Sequence, residues 1–577
     1  MLTRLENFGI GGVNYDLFET GLGTSQWSGL TNVDIRDGDL YSAGADVLYG
    51  EPTPVDPLYV FLYEVEGSVV NLVSDGTDLY ASTGSSWVQI GANLGGGPVG
   101  FTVFRGCLII NTSAGPFYWC SLYGEVLDDS WDSGPDTLWV DGSDEAWDNQ
   151  DNFVGDTWDD GPDETWAAGS DDSWEGSLSG SIVALPGWPT GATALQIVAY
   201  KDQLVAIGGS DNNLPSGQPP YLVRWSSLAP AGSLPATWTP EEGNFAGFAM
   251  VQDTQGQLSA AALMRDDLIL YKTDSIWRLS ATGDPTIPMR LERIMTCNGI
   301  ESPDAITVCS EVHFGVTKRG FMVFDGNQVR YLDFGRLQTA VLRVLVGDAF
   351  ETVQVRYFAP QHEVWIAFRN PVDSPSFGGI LKYNTQHNSF TLHEYPGYAL
   401  VNLATGKVSA EAITVDSWSG GSAEGWEAGP DTSWDDTAPA ATADAMILAF
   451  RTGSNAGVLT QYDLFGSPLF YDGASKPTEA LRHGIRFTDS ANFSVVRALY
   501  PEMEGEPVEW EVGLTWYPSQ DKTPSNIRWQ VPRTFTPTSR RKVPTRLVAD
   551  TFALRMRGTD KWRLHAVSID HDLAGQT

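Results

Sequence analysis

Apolar and polar positions alternate with period two in short runs over most of this chain, and Gly, Pro, Asn or Asp separates the runs. That is the pattern of half-buried β-strands joined by tight turns. LYVFLYEVEG, VVNLVSDGTDLYAS and SSWVQIG follow one another from Leu58, and Asp75-Gly76 predicts a hairpin turn. GFTVFRGCLIINTSAGPFYWC repeats strand, turn, strand, and ALQIVAYKDQLVAIGG pairs two strands across Lys201-Asp202. The series continues through LSAAALMRDDLILYKTDSIWRLS, EVHFGVTKRGFMVFDGNQVRYLDFG, VQVRYFAPQHEVWIAFRN and GGILKYNTQHNSFTLHEYP. Each unit offers three or four short strands, so about six antiparallel units are expected between residues 55 and 400, as a β-propeller requires. A stacked sandwich would give the same local pattern. From Ala445 onward, MILAFRTG, VEWEVGLTWYPS, TRLVADTFALRMRG and KWRLHAVSIDHDL predict an antiparallel, sandwich-like domain of about 100 residues.

The expected class is therefore all-β: a β-propeller with an N-terminal arm, acidic Trp-rich insertions and a C-terminal antiparallel β-domain. Gly-rich joints between short apolar pieces make residues 1–55 an extended arm or platform. The first blades are expected over 56–127, an acidic insertion over 128–180 and the remaining blades over 181–408. A second insertion spans 409–442, and the C-terminal β-domain 443–577. The 60 Gly and 33 Pro residues fit a turn-rich protein of this kind.

The insertions carry an internal repeat. Trp131, Trp139 and Trp147 are eight residues apart, as are Trp158, Trp166 and Trp174, and again Trp418, Trp426 and Trp434. Pro135, Pro162 and Pro430 within SGPD, GPDE and GPDT exclude helix and supply turn chemistry. Each octad reads as a short extended piece carrying Trp, followed by a tight turn, so each triplet is expected to stack as a small aromatic ladder. The Asp residues would form a wet rim, uncompensated because no Lys or Arg stands between Arg105 and Lys201. Asp136, Asp144, Asp163 and Asp171 are weak candidates for Ca²⁺ ligands, although the spacing is not that of the nonapeptide calcium repeat. Exposed indoles would instead suit sugars. The simplest reading is a solvated β-decoration packed on its own Trp residues.

A formal charge of −38 argues against a sequence-reading nucleic-acid binder, which would show a basic footprint. The charge is unevenly spread. Only Arg4, Arg36 and Arg105 are basic in the first 200 residues, whereas the tail holds Arg528, Arg533, Arg540, Arg541, Lys542, Arg546, Arg555, Arg557, Lys561 and Arg563. Such asymmetry suits head-to-tail packing of identical subunits; the plainer alternative is a basic solvated face. Cys107, Cys120, Cys297 and Cys309 make neither a disulfide framework nor a zinc spacing. The N-terminus lacks an apolar signal segment, and no run of 18 apolar residues occurs, so a soluble product of the cytoplasm is expected.

An enzyme would need a site. His313, His362, His387, His393, His483, His565 and His571 show no HExxH or other metal spacing. Asp570, His571 and Asp572 could hold a metal but read more simply as a terminal polar turn. With 73 acidic residues a carboxylate pair for glycoside hydrolysis is always conceivable, which makes it uninformative. Neither a strand-to-helix GxSxG elbow nor a Walker loop is present. The expectation is a non-enzyme with no cofactor.

Several stretches together resemble a known family. They are GGVNYDLFE, GLTNVDIRDGDL, LVRWSSLAPAGSLPATW, LILYKTDSIWRL, GIESPDAITVCSEVHFGVTKRGFMVFDGNQV and WRLHAVSIDHDL. In this order they are similar to the propeller-containing tail proteins of tailed bacteriophages, above all the nozzle (tail tubular protein B) of short-tailed phages. The resemblance covers most of the chain outside the octads. It implies a virion protein made in the host cytoplasm and a ring, expected to be a hexamer, below an adaptor protein. It also implies neighbouring tail fibres or other tail proteins, and an enclosed channel through which phage DNA leaves without sequence-specific binding. No catalytic residues come with it, and the octads depart from its pattern. Two other readings stay open: a propeller hub or head-closing stabilisation protein of the same tail, and a lectin-like receptor-binding propeller.

Overall fold

The computed structural model describes residues 1–6, 13, 25–36, 38–65, 68–84, 86–120, 181–211, 220–230, 232–284, 286–332, 350, 352–369, 376–409, 442–453, 456–487, 493–515 and 527–574. Among these the chain is nearly all β, with no α-helix and only short 3-10 turns such as Pro303–Ala305. All nine octad Trp residues, and Asp136, Asp144, Asp163 and Asp171, lie outside the described residues.

Antiparallel four-stranded units succeed one another over residues 59–91, 100–184, 196–250, 258–296, 306–331 and 354–394. A seventh combines Ala399–Ser409, Thr442–Gly453 and Ala456–Asp463 with an N-terminal strand, Ala45–Leu48. The units share a backbone signature that their sequences hide. Arg105, Lys201, Arg265, Ser310 and His362 each occupy the turn between first and second strand, all at φ between 51° and 55°. Non-glycine residues adopt that left-handed conformation sparingly, so its recurrence marks five units as copies of one hairpin design.

The units pack in a closed cycle. Each first strand lies against the first strand of the next unit, from Tyr59–Val65 through Gln354–Phe358 and Ala399–Ser409 back to Tyr59–Val65. Apolar cores fill the spaces between them: Leu72 and Leu108 between the first and second, Ile109 and Leu204 between the second and third, Val401 and Val73 between the seventh and first. Both faces of each sheet are therefore buried, which explains runs such as CLIINT and DLILYK that lack a polar face.

The C-terminal strands form two sheets around one core that includes Trp510, Leu554, Leu564 and Ile569. The N-terminal residues are part of this unit. Leu2–Glu6 pairs with Trp562–Leu573, and so does Asp39–Ser42, itself the hairpin partner of Val33–Arg36. Gly29–Thr31 runs antiparallel to Thr478–Ile485 on one side and parallel to Ser389–Glu394 on the other, so one sheet continues from the sixth unit into the C-terminal layers.

Two sequence expectations change. The boundary set at residue 443 falls at the start of a seventh-unit strand, because Thr442–Gly453 is already paired with Ala399–Ser409. Residues 1–55 are not a separate arm: their apolar residues Leu5, Leu30, Val33 and Leu40 are buried in the C-terminal core.

Candidate functional site

The most unusual chemistry lies where the N-terminal hairpin, the sixth unit and the seventh unit meet. In Val33–Arg36, period-two alternation sends Val33 and Ile35 into the C-terminal core and Asp34 to the opposite face. That face is covered too, so the Asp34 side chain is 1% exposed. Lys382 Nζ from the sixth unit donates to Asp34 Oδ1 at 2.8 Å, and His393 Nε2 stands 3.0 Å from the same oxygen. Tyr462 Oη, from the seventh unit, donates to Oδ2 at 2.7 Å, and Arg36 donates to it at 3.0 Å. One carboxylate thus ties the N-terminal hairpin to two strands that lie 348 and 428 residues further along the chain.

A second buried pair adjoins it. Lys476 Nζ lies 2.7 Å from Asp46 Oδ1, on the strand that completes the seventh unit, and donates to the Gly44 carbonyl at 3.1 Å. Gly44 N–H donates to Tyr462 Oη at 2.7 Å. A Cβ at Gly44 would sit 2.1 Å from the Asp463 carbonyl oxygen, so only glycine fits that approach. Rings line both ammonium groups: Lys382 lies 4.0 Å from the centroids of Trp365 and Tyr462, and Lys476 lies near Tyr395, Tyr462 and Phe470.

The electrostatics follow from burial and this pairing. Burial alone would raise the Asp34 pKa, but Lys382, His393 and Arg36 together hold it well below the ordinary carboxylate range. Burial, and then the Asp34 anion, push Glu363 up to about 7, while its Oε2 accepts from Trp365 Nε1. Burial, with the Lys382 cation, pushes His393 down to about 4. Asp34 and Lys382, each 1% exposed, are thus charges held among aromatic rings, where removing either partner would leave the other buried and unpaired.

A cleft of about 410 Å³ opens beside this network, between Arg36, Tyr41, His362, His387, Phe465 and Lys561. Among the described residues no Asp or Glu side chain is in its wall. His362 and His387 are the two of the seven histidines that line it. His313 is held by Tyr271 and the Leu263 carbonyl, and His565 by Asp39. Among the described residues no group of three or more His, Cys, Asp or Glu side chains could hold a metal ion.

Asp570, His571 and Asp572 are not a terminal turn. They lie on the strand Trp562–Leu573, where His571 bonds Thr3 and stacks on Phe487, and Asp572 pairs with Arg497. Neighbours along a strand point to opposite faces, which separates His571 from Asp570 and Asp572; those two share a face beside the Met1 amine. Sequence reasoning missed the Asp34 network, although one signal was available: Lys382 interrupts an otherwise apolar strand, GGILKYN.

The octad blocks leave the fold from inside two units and not between units. The first departs after Trp119 and returns at Val183, with Tyr118 and Val183 paired in register. Cys107 and Cys120 are disulfide-bonded at its neck, a single bridge that sequence spacing did not suggest. The second block lies between Ser409 and Thr442, which are also paired. Replacing residues 128–177 by a short Gly/Ser bridge is therefore expected to leave the β circular-dichroism signal and a melting temperature within about 5 °C of the parent. An insoluble product would show the block to be core.

No family model matches this sequence, and no curated protein matches it. Similar solved structures include the extracellular domain of a hybrid two-component system from B. thetaiotaomicron, at 9% identity and TM-score 0.24 over 62% of this chain. This chain spans 40% of that protein. An exo-β-1,3-galactanase from Phanerochaete chrysosporium gives 8% identity and TM-score 0.23, over 92% of this chain and 99% of the other. PorZ from Porphyromonas gingivalis gives 11% and 0.19, over 79% and 52%. At these scores the likeness carries neither a fold nor an activity to this chain.

Proposed function

We propose that this chain is a structural protein of a bacteriophage tail, a seven-bladed β-propeller fused to a two-layered β-platform, assembling as a ring around the DNA exit channel. The observation that carries the reading is the closed cycle of seven four-stranded units, completed by Ala45–Leu48 and continued into the C-terminal layers through Gly29–Thr31. Propellers are closed by such a strand from the far end of the chain, and a propeller with an attached platform is what the nozzle resemblance implies. The buried Asp34 and Asp46 pairs support it further, because they fasten closing strand to platform in a part that must bear load.

Composition fits the task. Duplex DNA carries a charge about every 1.7 Å, so a basic channel would retain it and an acidic one keeps it centred. Screening over roughly 8 Å at physiological salt confines that repulsion to near contact. The Cys107–Cys120 bridge suits a particle that leaves the reducing cytoplasm. An adaptor above the ring and fibres beside it are the expected neighbours. Symmetry-averaged electron microscopy of virion tails is the test: six copies around the DNA axis are expected, and single copies at a fibre tip would sink the assignment.

A further inference from the structure

In a chain of net charge −38, residues 527–549 hold six cations, Arg528, Arg533, Arg540, Arg541, Lys542 and Arg546, and no carboxylate. The fold brings them to one rim. Arg528–Trp529 and Arg533–Phe535 both pair with Val508–Thr515 at the end of one C-terminal sheet, and Val543–Ala549 is the edge strand of the other. Thr545 Oγ1 to Gln530 Oε1, at 2.8 Å, ties the two edges together.

All six cations are exposed, and none has a carboxylate partner among the described residues. Elsewhere in this unit several arginines are paired with carboxylates: Arg557 with Glu479, Arg563 with Asp39, Arg555 with Glu511. Apolar side chains stand among the unpaired cations, Val531 at 81% exposure and Val548 at 46%. A strand that ends its sheet among the described residues, with exposed cations and valines and no described carboxylate beside them, has the composition of an interface for an acidic partner.

We infer that this basic rim docks a second copy of the chain through the acidic stretch between Arg105 and Lys201, which holds 18 carboxylates and no Lys or Arg. The rim and the acidic stretch are different parts of the chain, so the contact is head-to-tail, the kind that closes into a ring when the rotation permits. This rests on the self-assembly part of the reading above and names the surfaces that would carry it. Duplex DNA is the rival anion, and the test separates the two.

Two variants each keep one half of the contact. The rim variant carries Arg540→Gln, Arg541→Gln, Lys542→Gln and Arg546→Gln; the other lacks residues 128–177. Sedimentation velocity should show the parent assembling at low salt and dissociating as salt rises. Each variant alone should associate roughly tenfold to a hundredfold more weakly, as expected for losing several exposed charge pairs. Mixed together, the two variants should form a one-to-one complex that grows no further, because only one competent contact remains. Circular dichroism and melting temperature confirm that both variants fold; should the rim variant fail, Arg540→Glu with Arg541→Glu replaces it.

Parent-like assembly of both variants would overturn the inference and leave the ring reading standing. A parent that stays monomeric at every salt concentration would overturn both. Loss of duplex-DNA binding by the rim variant, with self-association unchanged, would give the rim to nucleic acid instead.

Discussion

Asp34→Ala is expected to lower the unfolding free energy by about 3–5 kcal/mol, the cost of stripping a buried cation of its partner. The loss should be large because Lys382 and Arg36 would stay behind with their positive charge, and Tyr462 would lose its acceptor. Adding Lys382→Met should recover part of it, since an apolar side chain suits the space between Trp365 and Tyr462. The urea midpoint measures both, and a single variant within 1 kcal/mol of the parent, as an order-of-magnitude limit, would show the network to be dispensable.

The same network fixes a pH signature. Glu363 has a folded pKa of about 7, above its ordinary 4.5, so its contribution to stability is complete below pH 4.5 and lost as pH rises through 7. His393 has a folded pKa of about 4, below its ordinary 6.5, so its contribution is present above pH 6.5 and lost as pH falls through 4. The two slopes oppose each other across the interval they share. At roughly 1.4 kcal/mol per unit, each spans about 3 kcal/mol. Relative to the parent, Glu363→Gln should therefore gain stability as pH rises through 4.5–7, and His393→Gln should lose it as pH rises through 4–6.5. Variants that both run parallel to the parent would refute the assignment.

The second large effect is all-or-none. A chain lacking residues 1–53 should fail to fold its C-terminal half, and residues 443–577 alone should be unfolded. Four strands of the C-terminal sheets, Leu2–Glu6, Gly29–Thr31, Val33–Arg36 and Asp39–Ser42, come from the N-terminus. Their removal would expose Trp510, Leu564 and Ile569 to water, and Ala45–Leu48 would be missing from the seventh unit. Fully burying one such side chain contributes about 1.5–3 kcal/mol, and several would be lost at once. Dispersed amide resonances from 443–577 by itself would contradict the woven arrangement.

The sequence determined what local chemistry can determine. Alternation with period two and turn residues such as Asp75-Gly76 and Lys201-Asp202 specify short antiparallel strands, and they lie where the pattern predicts: Ser68–Ser74 with Leu79–Ser82, and Gln196–Tyr200 with Gln203–Ile207. It also marked the antiparallel β character of the C-terminal strands and the uneven charge. Tertiary structure alone decided which distant strand completes which sheet. Nothing near Ala45–Leu48 announces a partner at Ala456–Asp463, because a strand's own alternation fixes its faces and not its neighbour. For the same reason Asp34 read as one more acidic residue in a turn-rich start, and Lys382 as one polar position in a strand. Only the fold brought them to 2.8 Å apart, out of water, where charge must be paired to be tolerated.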